Sequence, residues 1–339
     1  MKNFLRYLSM LLVSLALLCV VAVRVGKIPF PGQVGPRFDA EISMAHRDGI
    51  AAQNPQIVLL GDSMVEENVD TPALSDELGQ SVYTVSYPGS ASALWYLSIK
   101  NNILLSPNKP PALVIVFRDT IPTSPAYRAD GKFVRAIDTL AGADEPLLTQ
   151  LAYVNRVNPL EKFAKQYFPL YEFGFQIRDR VDFYVRYLLP RPLLHCGNRC
   201  VDAAVLNIFN FRNLIDPTAD DPIAQAESVL YTDSALDFYG QLDQSFLPEI
   251  IRLCKENGIQ LVMVRGKTIT FADVPPPAGL DRYMRNLREY LAQSGVLFLD
   301  LEADDRLTAS DYIDRFHVHP EARGIYTQML ADGLKSVLP

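Results

Sequence analysis

The chain has 339 residues, of which 49% are hydrophobic, and it contains 24 prolines and 18 glycines. This balance is ordinary for a globular protein and excludes a disordered or fibrous chain. The formal net charge of −7 argues against a general nucleic-acid binder, which would need a basic face.

The first residues predict a membrane anchor. Residues 7–23 are uncharged and lie between Arg6 and Arg24, and this length is close to the minimum for a membrane-spanning helix. No A-x-A cleavage pattern follows them, so we expect an uncleaved signal anchor over residues 1–25, with a cleaved signal peptide as the alternative. Basic residues flank the apolar stretch on both sides, which leaves its orientation open.

Residues 26–55 are predicted to form a juxtamembrane linker, because Pro29 and Pro31 prevent the anchor helix from continuing. After the linker, apolar runs typical of strands alternate with helical patterns. The predicted strands are residues 57–60, 82–86, 112–117, 260–264 and 296–301, and the predicted helices lie near residues 72–78, 91–105, 241–257, 280–293 and 320–337. Continuous Val, Ile and Leu runs separated by helices indicate a parallel sheet covered on both faces. We therefore expect a three-layer α/β/α sandwich of about five strands, flavodoxin-like, over residues 56–119 and 240–339.

Residues 120–239 interrupt this alternation and are predicted to be a large, mainly helical insertion. Residues 151–200 carry eight Lys and Arg against four Asp and Glu, whereas residues 201–250 carry one against nine. Two interpretations stay open: a cap whose Arg and aromatic side chains pack on the sheet domain, or a surface that faces lipid headgroups or a membrane partner.

Cys196 and Cys200 are candidates for a small-loop disulfide in an oxidising compartment. Half of a metal site is the weaker interpretation, because no second Cys or His pair at ligand spacing accompanies them. We expect no metal, and since the sequence contains no phosphate-binding glycine loop or nucleotide fingerprint, we expect no cofactor.

Candidate site residues follow the first three predicted strands, at the sheet edge where parallel α/β folds bind ligands. Gly61-Asp62-Ser63 follows the first strand, Gly89 follows the second and Arg118 follows the third, while Asp314-Arg315-Phe316-His317 precedes the last helix. Serine, histidine and carboxylate are together the parts of an activated nucleophile.

The chemistry of serine, histidine and aspartate suits a nucleophile, a base and a group that orients the base. Serine has almost no alkoxide at neutral pH, so a base must take its proton, and a histidine pKa near 6.5 suits that task. Asp314 lies three residues before His317 and is placed to orient its ring. His319 is the alternative base, and Asp62 is expected to cap the turn after the strand. The two remaining histidines are expected to be structural or exposed: His46 and His195.

At these residues the chain resembles the SGNH superfamily of hydrolases, also called GDSL-like. The resemblance implies that Ser63 is the nucleophile, that His317 is the general base and that Asp314 orients it. It also implies an oxyanion hole made by the backbone N–H groups of Ser63 and Gly89 and by an asparagine after the third strand. That asparagine is absent, and Arg118 is the candidate replacement. Loss of one oxyanion donor costs roughly 100- to 1000-fold in turnover.

The anchor, the early Gly-Asp-Ser, the long insertion and the late Asp-x-x-His are similar to a branch of this superfamily that transfers acyl groups beside multi-span membrane-bound O-acyltransferases. The resemblance implies a membrane-anchored protein with its globular part in the periplasm or outside the cell. Its activity would be serine O-acyl transfer, with acetyl the expected group, to a cell-surface or exported polysaccharide. Two alternatives stay open: an esterase that removes acyl groups from a glycan or lipid, and an inactive binding or assembly subunit.

Overall fold

Five runs of Val, Ile and Leu form the strands that their continuous apolar character predicts. The computed structural model describes residues 2–27, 29–38, 41–171, 174, 227–269 and 277–338. Its strands are β1 (Ile57–Gly61), β2 (Val82–Ser86), β3 (Ala112–Phe117), β4 (Gln260–Arg265) and β5 (Leu297–Asp300). They form one parallel sheet in the order β2-β1-β3-β4-β5. The expected five-stranded parallel sheet is confirmed.

Both faces of the sheet are buried, as the strand sequences require. In β1, Val58 and Leu60 belong to the apolar cluster on one face, whereas Ile57 and Leu59 belong to the cluster on the other. Every residue of β1 and β3 is buried. This alternation, with a hydrophobic layer on each side, produces the three-layer α/β/α sandwich that the sequence predicts.

Different helices cover the two faces of the sheet. In chain order they are α1 (Lys2–Arg24), α2 (Ala45–Gln53), α3 (Ser63–Asn68), α4 (Thr71–Leu78), α5 (Ser92–Ser98), α6 (Val134–Asp138), α7 (Pro146–Leu148), α8 (Pro159–Tyr167), α9 (Phe238–Leu242), α10 (Leu247–Glu256), α11 (Leu280–Gln293) and α12 (Arg323–Val337). The apolar cluster on one face draws residues from α2, α5, α10 and α11. The cluster on the other face draws on α3, α4 and α12.

Three elements differ from the expected pattern. The region expected as a linker contains α2, which forms because Ile50 packs into the core beneath β2. The single helix expected over residues 241–257 is two helices, since Pro248 has no N–H to give to a preceding turn and therefore fits only the first turn of α10. The helix expected over residues 91–105 ends as α5 and continues as a π-helix, Ile99–Ile103.

The chain divides into two compact units. The unit that holds the sheet comprises Arg37–Arg156 and Glu227–Pro339, a wider span than the predicted 56–119 and 240–339. The other unit comprises Met1–Pro36 and Val157–Ala226. In that unit Asn3–Arg24 is long and apolar enough to cross a membrane, with a mean hydropathy of 2.3. His195 and the predicted Cys196–Cys200 pair lie outside the described residues.

Candidate active site

The carboxyl end of β1 turns sharply into α3 and delivers Ser63 as the first residue of that helix. Gly61 is required at this turn, because a Cβ there would overlap Cγ2 of Val65. Asp62 caps α3 as expected, and its Oδ1 accepts from the Met64 N–H at 2.9 Å. Because β1 lies between β2 and β3, this turn stands at the topological switch point of the sheet, where open α/β folds bind ligands.

A short antiparallel hairpin presents the histidine. Tyr312 and Val318 form its β-bridge. Inside it the Ile313 N–H donates to the carbonyl of His317 at 2.8 Å, and outside it the His319 N–H donates to the carbonyl of Asp311 at 2.7 Å. These backbone bonds fix the loop that carries the Asp-x-x-His motif just before α12.

The structure brings the three predicted catalytic side chains into one hydrogen-bonded chain. His317 Nε2 lies 2.8 Å from Ser63 Oγ, and His317 Nδ1 lies 2.8 Å from Oδ2 of Asp314. An ionised carboxylate only accepts, so Nδ1 carries the proton and Nε2 is left to accept from the serine hydroxyl. His319 is not part of this chain: its ring is exposed, and its backbone serves the hairpin.

Asp314 is held in its ionised form. Partial burial alone would raise the pKa of its carboxyl, but the hydrogen bond from His317 and the backbone N–H groups of Phe316 and His317 outweigh burial, and the pKa falls below its ordinary value. Both backbone bonds end on Oδ1, at 2.8 and 2.9 Å, while Oδ2 receives the imidazole. The carboxylate is therefore oriented by its own loop as well as by the ring it orients.

Asn68, which the sequence did not single out, joins the nucleophile helix to the histidine loop. Its side chain is fully buried at the last position of α3. Nδ2 donates to the carbonyl of Phe316 at 2.8 Å, and Oδ1 accepts from the N–H of Val318 at 3.0 Å. The two bonds bracket His317, so the distance from the ring to Ser63 depends on this one amide.

The second strand places Gly89 beside the same turn. The carbonyl of Gly61 accepts from the Tyr87 N–H at 3.3 Å and from Ser90 Oγ at 3.0 Å, so the loop after β2 is tied to the end of β1. Gly89 has a left-handed backbone with φ 73°, which glycine adopts without the Cβ strain of other residues. A Cβ there would also lie 2.8 Å from Cε1 of Phe133.

Arg118 follows β3 as predicted, but most of its donors are occupied. The guanidinium is buried, with Nη1 2.8 Å from Asp119 and Nη2 2.5 Å from Glu227. It also stacks on the Phe316 ring, 3.8 Å from the centroid. Burial alone would lower the pKa of Arg118, yet Asp119 and Glu227 raise it above its ordinary value, so the side chain stays charged. Within the described residues its Nε has no hydrogen-bond partner.

A second arginine borders the Gly89 loop. Nη1 of Arg128 would lie 3.2 Å from a Cβ placed on Gly89, and its Nη2 lies 3.3 Å from Oε1 of Glu227. The Arg128 side chain is 22% exposed, in contrast to the enclosed Arg118. The carboxylate of Glu227 therefore serves two guanidinium groups, one inside the domain and one at its surface.

The other candidates lie apart from this chain of hydrogen bonds. His46 Nδ1 lies 3.1 Å from the Tyr83 hydroxyl, and burial lowers the pKa of this histidine. Across the part of the chain that the structure describes, no group of three His, Cys, Asp or Glu side chains is placed to hold a metal ion.

No protein-family model and no curated protein matches the chain. Solved structures similar to it include a "putative lipolytic protein of G-D-S-L family" from Desulfitobacterium hafniense DCB-2, with 10% identity, a TM-score of 0.36, and coverage of 82% of this chain and 98% of that one. A "GDSL-like lipase" from Bacteroides thetaiotaomicron VPI-5482 has 11% identity and a TM-score of 0.32, with coverage of 87% and 97%. A "putative arylesterase" from Agrobacterium tumefaciens str. C58 has 10% identity and a TM-score of 0.33, with coverage of 84% and 100%.

The structure itself has the arrangement that the resemblance to the SGNH superfamily implied. Ser63 follows β1, Gly89 follows β2, and His317 precedes the last helix of a five-stranded parallel sheet. The expected fold is therefore confirmed.

Proposed function

We propose that this protein is a membrane-anchored serine O-acyltransferase that acts on a cell-surface or exported polysaccharide outside the cytoplasm. The observation that carries the proposal is the continuous chain from Ser63 Oγ to His317 Nε2 and from His317 Nδ1 to Asp314, with both contacts at 2.8 Å. That arrangement makes a serine hydroxyl nucleophilic at neutral pH.

In the first half-reaction Ser63 Oγ attacks the carbonyl carbon of an acyl donor while His317 Nε2 takes the hydroxyl proton. Negative charge then develops on the carbonyl oxygen, where the backbone N–H groups of Ser63 and Gly89 are the proposed donors. Collapse of the tetrahedral intermediate breaks the bond to the donor's leaving group, which receives the proton from His317. The product is an ester on Ser63.

In the second half-reaction a sugar hydroxyl attacks that ester, and His317 takes its proton. The new tetrahedral intermediate collapses, the acyl group stays on the sugar oxygen, and Ser63 Oγ recovers the proton. Asp314 stays ionised throughout and stabilises the imidazolium that forms in each half. Each half-reaction returns His317 and Asp314 to their starting protonation states, and Ser63 recovers its hydroxyl proton at the end of the second.

The apolar α1 helix supports transfer at a membrane, since it gives the chain a means of attachment beside a partner. A multi-span membrane-bound O-acyltransferase is the proposed partner and acyl source. Arg118 is the proposed third oxyanion donor through its Nε–H, because its Nη1 and Nη2 are occupied while its buried Nε has no hydrogen-bond partner among the described residues.

Hydrolysis is the second candidate, because water can reach the triad: the side chain of His317 is 19% exposed and that of Asp314 is 41% exposed. Water and a sugar hydroxyl would compete for the same ester on Ser63. An inactive binding subunit is the third candidate, suggested by the replacement of the family's asparagine with Arg118.

The test is acylation of the full chain by an activated acetyl ester, followed by mass spectrometry of the peptide that contains Ser63. We expect one acetyl group on Ser63, none in Ser63→Ala, and normal labelling in Ser336→Ala, an exposed serine on α12. Addition of an oligosaccharide then separates transfer from hydrolysis by the ratio of acetylated sugar to free acetate. Full activity in Ser63→Ala, or in the Ser63→Ala and His317→Ala double variant, would overturn the proposal.

A further inference from the structure

Helix α8 carries an apolar face that the described residues leave exposed. Leu160, Phe163 and Tyr167 are 79%, 61% and 51% exposed. Their spacing of three and four residues places them on one side of the helix, and the rings of Phe163 and Tyr167 lie 5.2 Å apart. Three large neighbouring side chains left in water are unusual, and such patches mark a surface that binds something apolar.

The rest of the helix is polar and basic. Lys162 and Lys165 lie away from the apolar side, and both are less exposed than the three apolar side chains. Lys165 pairs with Glu161 at 3.1 Å. Aromatic and leucine side chains on one face with lysines on the other are typical of helices that lie in the plane of a membrane surface. Tyrosine is also enriched at the depth of the lipid headgroups.

The position of α8 in the chain indicates which apolar surface it meets. It belongs to the same compact unit as α1, and the segment after α1 contacts its last turn: the Gly32 N–H donates to the Gln166 carbonyl at 2.8 Å. A Cβ on Gly32 would overlap the Lys165 carbonyl oxygen, so this approach of two backbones requires glycine.

That contact limits how far α8 can be from a membrane that α1 crosses. Gly32 is the eighth residue after Arg24, the last residue of α1. At about 3.3 to 3.6 Å per extended residue, Gly32 lies within about 29 Å of the end of the helix. The chain therefore limits how far the end of α8 that contacts Gly32 can lie from the end of α1.

We propose that α8 lies in the interfacial layer of the membrane that α1 crosses, with Leu160, Phe163 and Tyr167 at the acyl boundary and the two lysines toward the headgroups. This would be a second attachment beside the span. It does not depend on the proposed acyl transfer, because neither the apolar face nor its contact with residue 32 involves the triad.

Fluorescence of the full chain in liposomes of phosphatidylcholine and phosphatidylglycerol tests the placement. The sequence has a single tryptophan, Trp95, which is buried and gives a constant background. We expect Phe163→Trp to add blue-shifted emission that is lost when the lipids carry brominated chains. Lys162→Trp, one residue away on the polar side, should add emission that brominated lipid does not quench. Flotation with the liposomes first shows that both variants are membrane-bound.

A second variant tests the face as a whole. In a Tyr167→Trp background, Leu160→Glu with Phe163→Glu should abolish quenching by brominated lipid while α1 keeps the protein on the liposomes. Emission from Phe163→Trp that is red-shifted and unquenched would show the face in water and overturn the proposal. Blue-shifted but unquenched emission would show a protein surface or a second copy over the face, and would overturn it equally.

Discussion

The side-chain amide of Asn68 donates to the carbonyl of Phe316 at 2.8 Å and so joins the helix of the nucleophile to the loop of the base across 248 residues of sequence. The same amide accepts from Val318 at 3.0 Å. Neither bond touches a reacting atom. Together they fix the backbone on both sides of His317, which makes Asn68 a positioning residue for the proposed reaction.

Replacement of Asn68 should therefore lower turnover more than binding. Asn68→Ala leaves a buried N–H and a buried carbonyl without partners, and we expect a loss of about 2 to 3 kcal/mol in the free energy of unfolding. Turnover should fall roughly 10- to 100-fold with little change in KM, since a displacement of about 1 Å in a catalytic group costs about 100-fold. Steady-state kinetics with an activated acetyl ester, corrected for the folded fraction, measure the effect.

Asn102 is the matched control. It is fully buried and makes the same pair of bonds, from Nδ2 to the Ser43 carbonyl and from the Arg47 N–H to Oδ1, each at 3.1 Å. Asn102→Ala should destabilise the protein to a similar extent and leave turnover per folded molecule unchanged. Equal losses of turnover in the two variants would show that Asn68 acts through stability alone.

The contribution of Asp314 to the stability of the folded protein is expected to depend on pH. Its pKa is lowered in the folded protein, so its contribution to stability is complete above the ordinary aspartate pKa and is lost as the pH falls through the lowered value. Asp314→Asn removes that contribution. The stability difference between wild type and variant should be present at about pH 7 and shrink toward about pH 3.

Denaturant titrations of both proteins at the two pH values provide the measurement. At neutral pH the variant should also lose about 100- to 10,000-fold in turnover, because an amide does not hold the imidazole in the required tautomer. A stability difference that grows as the pH falls would contradict the lowered pKa.

Gly89 should tolerate no side chain. Two features oppose the alanine in Gly89→Ala. The backbone is left-handed, with φ 73°, and the added Cβ would lie 2.8 Å from Cε1 of Phe133. We expect the loop to move and the proposed oxyanion N–H with it, with a loss of roughly 10- to 1000-fold in turnover. Gly79 is the control that separates backbone strain from a side-chain clash. It has the same left-handed backbone, with φ 62°, but nothing lies within 4 Å of a Cβ added there. Gly79→Ala should cost about 1 kcal/mol of stability and no activity. Equal activity in both variants would exclude Gly89 from the site.

The strands, helices and site residues that can be predicted from the sequence are those with a recognisable local pattern. The strand β3 is six consecutive apolar residues, and α11 was predicted with the bounds it has, because its apolar positions follow the helical period. The Asp-x-x-His loop was readable because its two residues lie three apart. The role of Asn68 could not be predicted, because its partners are backbone groups 248 and 250 residues away. A lone asparagine at a helix end also has no local pattern that would mark it.

The ion pairs of Arg118 could not be predicted from the sequence, for the same reason. The position of Arg118 after β3 predicts an oxyanion donor, whereas its partners are Asp119, the next residue, and Glu227, which is 109 residues away in the predicted insertion. Nothing in the pattern around residue 227 distinguishes that glutamate from the other acidic residues of its region. Buried ion pairs between distant segments are visible only once the fold is known.

Loss of the ion pair between Glu227 and Arg118 should lower the stability of the protein. Glu227→Gln leaves the buried Arg118 with Asp119 as its remaining anionic partner among the described residues, and removal of one member of a buried pair costs about 3 to 5 kcal/mol. Glu249→Gln is the control, because Glu249 pairs with Arg252, whose side chain is 50% exposed, and exposed pairs contribute about 1 kcal/mol or less. Thermal unfolding of the full chain in detergent compares the two. A melting temperature in Glu227→Gln no lower than in Glu249→Gln would mean that the two arginines at Glu227 do not depend on its charge.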